Sequence, residues 1–190
     1  SRGLGDVYKR QIIAITGASG SNFAVNFITK CPSEKYLVAS KWGKRVVHEE
    51  LGLKFEELES MVDNTYSDSD LASPFASGSN YFDSLVIVPC SVSTLNKIAS
   101  GISDTLITRM AQVALKERRR LVIALRETPL DSITLENALK LSKSGAIIAP
   151  VSPGLYLEES SISDLADTFS DKLLSLVGLH KDNGWRNEEI

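Results

Sequence analysis

Arg126 and Glu127 stand side by side where an uninterrupted apolar run, Leu121 to Leu125, ends, and Pro129 fixes the turn that follows. In an open parallel sheet, ligands bind outside the carboxyl ends of the strands. A guanidinium and a carboxylate delivered there can neutralise an anion and pass a proton or orient a hydroxyl; the plainer alternative is a structural ion pair at a strand end. Arg109 and Lys116 lie seven residues apart on one expected helix. At about 100° per residue they fall within roughly 20° of one azimuth, about 10 Å apart along the axis. Such a cationic rail can hold a phosphate group. It can equally be a solvated face on which Lys116 to Arg120 complement the helix's carboxyl end. Gly17-Ala18-Ser19-Gly20 follows another apolar run and sets backbone amides and a helix amino end where an anion would meet them. It is neither a G-x-G-x-x-G fingerprint nor a Walker loop, since no Gly-Lys-Ser/Thr follows, and a tight turn needing small residues is the competing reading.

Other chemistries lack their residues. The only histidines are His48, on an outward helix, and His180, in the tail, so no Ser-His or Cys-His arrangement is available and no metal-ligand set exists. This argues against hydrolases and metalloenzymes and favours chemistry supplied by a cofactor. Cys31 and Cys90 make neither a disulfide framework nor a metal spacing, and a reducing cytoplasm is the expected compartment. A formal net charge of −3 gives no global attraction for nucleic acid, which leaves local basic clusters as the only anion sites. No apolar run approaches the roughly 20 residues of a membrane span.

The elements that must position these residues alternate. Ile12 to Thr16 reads as a strand, Phe23 to Ile28 as a helix, Tyr36 to Ala39 as a strand ending at Ser40, and Lys41 to Leu51 as a helix. Residues 52–81 are acidic and irregular, with a weak strand near Asn64 to Tyr66 and then a loop long enough to suspect function. Ser84 to Val88 is a buried strand stopped by Pro89, and Cys90 to Thr94 starts a helix with hydroxyl caps. Ser103-Asp104 caps the next helix, and Leu121 to Leu125 has the pattern of a central strand covered on both faces. Ile133 to Ser142 (helix, stopped by Gly145), Ala146 to Ala149 (strand) and Ile162 to Val177 (helix) complete the pattern. Strand–helix alternation without hairpins gives an α/β fold, a three-layer, doubly wound parallel sheet of Rossmann or flavodoxin-like type; strand order does not follow from it. Residues 1–11 lack an initiator Met, a periodic pattern and the features of a signal peptide. They are read as an appended or assembly-derived scar, with residues 12–190 as a single domain.

Taken together, the segments resemble the flavin prenyltransferase family of the UbiX/Pad type, from about Ile12 to Trp185. The strings that carry the resemblance are Thr16-Gly17-Ala18-Ser19-Gly20, Ala76-Ser77-Gly78-Ser79, Pro89-Cys90-Ser91 with Thr94-Leu95, and Ile98-Ala99-Ser100-Gly101. Stronger still are Leu115-Lys116-Glu117-Arg118-Arg119, Arg126-Glu127-Thr128-Pro129, Leu135-Glu136-Asn137 and Pro153-Gly154-Leu155-Tyr156. The resemblance implies transfer of a dimethylallyl group from a prenyl phosphate to N5 and C6 of reduced FMN, without a metal, to give prenylated FMN for a UbiD-type decarboxylase. It also implies a homo-oligomer, usually a dodecamer.

Carried over by position, the resemblance places Ser19 at the prenyl phosphate, linking it to Glu127 as the proton-transfer acid. Glu50, or the adjacent Glu49, would lie near the flavin N5. Arg109, Lys116, Arg126, Tyr156 and Lys172 would hold the phosphate. Gly17, Ala18, Ser19, Ser40, Ala76, Ser77, Gly78, Ser91, Ser93, Thr94 and Arg126 would line the FMN. Three departures bear on phosphate affinity and on the choice of mono- or diphosphate donor: Phe23-Ala24-Val25-Asn26 in place of Tyr-Gly-x-Arg, Gln112 in place of an aspartate, and Lys172 in place of an arginine, which loses the bidentate fork. Two other readings use the same fold. A flavin-dependent decarboxylase of cysteine-derived substrates would carry an early catalytic His and a Pro-Ala-Ser-Ala-Asn-Thr string, where this chain has Pro89-Cys90-Ser91-Val92-Ser93-Thr94. A non-catalytic flavin carrier would have no need of Arg109, Lys116, Arg126, Glu127 and Tyr156 together.

Overall fold

The apolar runs organise a computed structural model that describes residues 9–155 and 161–179. The strands are β1 (Arg10–Ile15), β2 (Glu34–Ala39), β3 (Asn64–Ser67), β4 (Ser84–Cys90), β5 (Arg120–Leu125) and β6 (Ile147–Ile148). The helices are α1 (Ser21–Lys30), α2 (Lys41–Leu51), α3 (Phe55–Glu59), α4 (Val92–Ala99), α5 (Leu106–Lys116), α6 (Ser132–Lys143) and α7 (Ile162–Leu176). All strand pairs are parallel, in the order β3-β2-β1-β4-β5-β6. The order reverses between β1 and β4, which opens a crevice at their carboxyl ends.

Strand periodicity assigns the two layers of helices. In β1, Ile12 and Ala14 join the core beneath α4, α5 and α6, while Ile13 and Ile15 join the core beneath α1, α2 and α7. In β5, Leu121, Ile123 and Leu125 go to the first core, and Val122 and Ala124 to the second. Each buried aliphatic side chain contributes about 1.5–3 kcal/mol, so a one-residue slip would exchange both faces at prohibitive cost. The outer helices are tied by specific contacts: Lys30 of α1 pairs with Asp167 (2.7 Å) and Asp171 (2.6 Å) of α7, and Phe23 meets Phe169 edge-on at 5.4 Å.

Several boundaries depart from the sequence expectations. β1 begins at Arg10, with Gln11 fully buried beside Ser84 of β4. β4 continues through Pro89 to Cys90, with a register shift after Ile87. Pro89 donates no ladder hydrogen bond, yet its carbonyl still accepts from Thr16. α5 is capped by Thr105, not by Ser103-Asp104: Thr105 and Thr108 exchange side-chain and backbone hydrogen bonds, and the Asp104 carboxylate is drawn to Lys97 at 2.6 Å. The last strand shrinks to two residues. The irregular region holds the short helix α3, closed by Glu57 accepting from the Lys54 amide, and a 3-10 turn at Pro74–Ala76. No helix among the described residues is long and apolar enough to cross a membrane.

Candidate active site

The crevice between β1 and β4 is closed at its base by one side chain. Thr16, at the end of β1, donates its hydroxyl to the Pro89 carbonyl (2.9 Å) and accepts from the Ser91 amide (2.8 Å). Above it the chain turns through Gly17 to Gly20, and Gly20 takes φ 115, a conformation that favours glycine. On one side, Ser40 caps α2 through the Gly43 amide (3.0 Å). Gly43 must lack a Cβ, because that atom would collide with the Ile15 carbonyl. On the other side, Ser91 caps α4 through the Thr94 amide (3.3 Å) and shares a hydrogen bond with the Thr94 hydroxyl (3.0 Å).

Glu50, at the end of α2, reaches across to α1. Its carboxylate accepts from the amides of Gly20 (3.0 Å) and Ser21 (2.8 Å). Burial alone would push this carboxyl up, but the Ser19 hydroxyl and the amides of Ser21 and Gly20 outweigh it and hold the group below the usual carboxylate range. Glu50 is therefore an anion occupying the amino end of α1, the position the Gly-rich turn offered to a phosphate. Glu49 points elsewhere and pairs with Arg45 at 2.7 Å on the exposed face of α2.

β5 ends at the same edge. The Arg126 amide bonds the Cys90 carbonyl (3.0 Å), which fixes the backbone, while its guanidinium is exposed and makes no hydrogen bond or ion pair among the described residues. Glu127 is also exposed and folds onto the Thr128 amide at 3.0 Å. Ser19 and Glu127 are not hydrogen-bonded to each other; the Ser19 hydroxyl helps hold the Glu50 carboxyl down.

A second group surrounds α5. Arg109 donates Nε to the Ala76 carbonyl (2.9 Å), and Lys116 pairs with Glu117 close to Gly78. Arg119 donates to the carbonyls of Gly78 (2.5 Å) and Asn80 (2.7 Å) and lies over the rings of Phe82 and Tyr81. Phe75 anchors the loop among Tyr36, Tyr66 and Phe82. α5 runs antiparallel to the strands. Its start meets Asp68, just beyond the carboxyl end of β3, and its end delivers the chain to the amino end of β5. Lys116 is thus separated from the Arg126 edge by the length of β5, about 16 Å.

The sequence model of the Flavoprotein family matches residues 5–174. Flavin prenyltransferase UbiX of Thermoplasma acidophilum is 46% identical over 174 residues, covering 91% of this chain and 97% of that one. The chain belongs to the flavin prenyltransferase family. Among solved structures, AnUbiX (PadA1) in complex with FMN and dimethylallyl pyrophosphate is 37% identical with a TM-score of 0.88, over 94% of this chain and 100% of that one. A dodecameric FMN-dependent Ubix-like decarboxylase from Escherichia coli O157:H7 is 32% identical with a TM-score of 0.89, over 93% of this chain and 98% of that one.

As a flavin prenyltransferase relative, the chain gathers Gly17, Ala18, Ser19, Ser40, Glu50, Ser91, Ser93, Thr94, Arg126 and Glu127 at the carboxyl edge. It gathers Ala76, Ser77, Gly78, Arg109 and Lys116 around α5. Among the described residues, no hydrogen bond or ion pair joins the two sets. Lys172 is exposed on α7, and Tyr156, His180 and Trp185 lie outside the described residues. Gln112 ties α5 to the end of α4 through the Ile98 carbonyl at 2.8 Å. Sequence reasoning missed Thr16 and Arg119 as positioning groups. Both stand inside strings that carry the family resemblance, which was the available signal.

Proposed function

We propose that this protein transfers a dimethylallyl group from a dimethylallyl phosphate to N5 and C6 of reduced FMN, yielding prenylated FMN for a UbiD-type decarboxylase. The observation that carries this reading is the Arg126-Glu127 pair, delivered by a central strand to the switch-point crevice with its guanidinium uncommitted. The donor set there fits FMN. The amides of Val92 and Ser93 at the start of α4 find no acceptor among the described residues, and the hydroxyls of Ser91, Ser93 and Thr94 stand beside them. These groups would hold an anionic, hydroxyl-rich cofactor. Reduced flavin supplies the electron-rich acceptor when bound.

The chain's own residues have separable tasks. Because Glu50 fills the amino end of α1, the prenyl phosphate is held by side-chain cations, Arg126 with Arg109, Lys116 and Lys172, and by the Tyr156 hydroxyl. Neutralising the departing phosphate is where such groups act most strongly. Glu127 delivers a proton to the phosphate oxygen beside Arg126. Glu50, kept anionic, orients the Ser19 hydroxyl and holds the Gly-rich turn closed around the flavin edge. Arg109 keeps one donor on Ala76 and turns the rest of its guanidinium to the phosphate.

Lys116 and the carboxyl-edge group lie apart within one chain, so their joint action on one phosphate requires a second copy of the chain. This supports a homo-oligomer, with the dodecameric relative as the pattern. A cytoplasmic location agrees with two buried, unpaired cysteines. The test is anaerobic: protein, reduced FMN and dimethylallyl monophosphate or diphosphate, with mass spectrometry of the extracted flavin. Flavin heavier by one prenyl unit, absent with Glu127→Gln, supports the transferase, and supply of that flavin to a UbiD-type apoenzyme tests the partner. Flavin unmodified with either donor would overturn the reading.

A further inference from the structure

We infer that Thr16 is a positioning residue that sets the width of the flavin crevice; this rests on the FMN-binding reading above. Among the described residues, four of the five joins between neighbouring strands continue past the paired residues at the carboxyl ends. Three of them use backbone alone: Ser40 amide to Ile15 carbonyl (2.9 Å), Arg126 amide to Cys90 carbonyl (3.0 Å) and Val151 amide to Leu125 carbonyl (2.8 Å). The fourth, between β1 and β4, lies at the point where the chain order reverses and the helices that follow leave on opposite faces. Pairing between these strands runs only from Gln11–Ser84 to Ala14–Ile87. Beyond it, Pro89 has no amide proton to give and the register of β4 shifts.

Thr16 replaces the lost ladder. Its amide (3.2 Å) and its hydroxyl (2.9 Å) both donate to the Pro89 carbonyl, and the same hydroxyl oxygen accepts from the Ser91 amide at 2.8 Å. The residue is 2% exposed, so water cannot take over these bonds. On one side of this latch begins the Gly17–Gly20 turn; on the other stands Ser91, whose side chain caps α4. The Thr16 amide and hydroxyl together join β1 to Pro89, but the Ser91 wall is tied to β1 through the hydroxyl alone, and neither wall contains it. A β-branched residue is suited to the task because its hydroxyl is held in few rotamers.

The experiment compares the wild type with Thr16→Val, which keeps the shape and removes the hydroxyl, and Thr16→Ser, which keeps the hydroxyl. FMN affinity is measured by flavin fluorescence quenching well below each protein's melting midpoint. Leaving the half-buried Ser91 amide without this partner should weaken FMN binding about tenfold in Thr16→Val, with Thr16→Ser restored to within about threefold. A lowered melting temperature with unchanged FMN affinity in Thr16→Val would overturn the proposal, because a merely structural role predicts that result. Should Thr16→Val not fold, hydrogen exchange at the wild-type Ser91 amide decides: strong protection supports the latch, and exchange at the rate of an open loop overturns it. Failure of the wild type itself to bind FMN would instead count against the flavin reading.

Discussion

The two halves of the candidate site are built in different ways. At the carboxyl edge, strands fix the backbone: Ser91, Arg126 and Glu127 are placed within a residue or two of a buried ladder end, and Ser19 follows the end of β1 by four. Around α5 the Ala76-Ser77-Gly78 loop has no ladder to hold it. Its carbonyls are held by guanidinium groups, Ala76 by Arg109 and Gly78 by Arg119, and its base is an aromatic cluster. A ladder-built site tolerates the loss of one side chain without losing its shape. A side-chain-built loop does not, so substitutions in the two halves should differ in what they damage.

The largest effect is expected at the carboxyl edge and in chemistry alone. Glu127→Gln should lower kcat by about 10²–10⁴, the range for removing a general acid, with FMN affinity and melting temperature close to wild type. A matching loss of flavin binding would break the distinction. Next comes Arg119→Ala, which removes two carbonyl hydrogen bonds and the cover on Phe82. It should cost about 2 kcal/mol in urea unfolding and speed proteolytic cleavage within residues 74–81, leaving the carboxyl edge intact by hydrogen exchange.

Glu50→Ala should cost about 1 kcal/mol, the value of a helix cap at a partly solvated site, or roughly 2–4 °C in Tm. Its sign with pH is fixed by the depressed carboxyl. The stabilisation is complete above the unfolded carboxylate range and is lost as pH falls through the folded value. The wild type should therefore lose stability on acidification more steeply than Glu50→Ala, and parallel acid limbs in thermal melts would remove Glu50 from the turn. The smallest effect belongs to Glu49→Gln. Its exposed pair with Arg45 should contribute no more than about 0.5 kcal/mol, with no change in flavin affinity.

The sheet was legible because its central strands β1, β4 and β5 carry nearly pure aliphatic runs, and Lys41–Leu51 emerged at the expected bounds because Val47 and its neighbours repeat at helical spacing. Strand order was not legible, since alternation says nothing about where the chain reverses. The helix at Phe55–Glu59 escaped because five residues hold too little of a period. Telling the surroundings of Glu50 from those of Glu49 needed three dimensions: both carboxylates lie on the same helix, and only the crossing of α2 past the Gly-rich turn gives them different partners. The rail of Arg109 and Lys116 was read with the right spacing. That the rail runs from one edge of the sheet towards the other, and so leaves Lys116 far from Glu127 in its own chain, followed only from the direction of α5.

That separation makes subunit complementation the most direct measurement. Glu127→Gln and Lys116→Ala proteins, each deficient in prenyl transfer, are mixed under conditions that exchange subunits and then assayed anaerobically for prenylated flavin. If each site joins the carboxyl edge of one copy to α5 of another, random exchange of equal amounts pairs two intact halves in about a quarter of the sites. Activity should then rise towards that fraction of wild type. A mixture that remains at the sum of the two deficient proteins, despite demonstrated subunit exchange, would contradict the two-copy site.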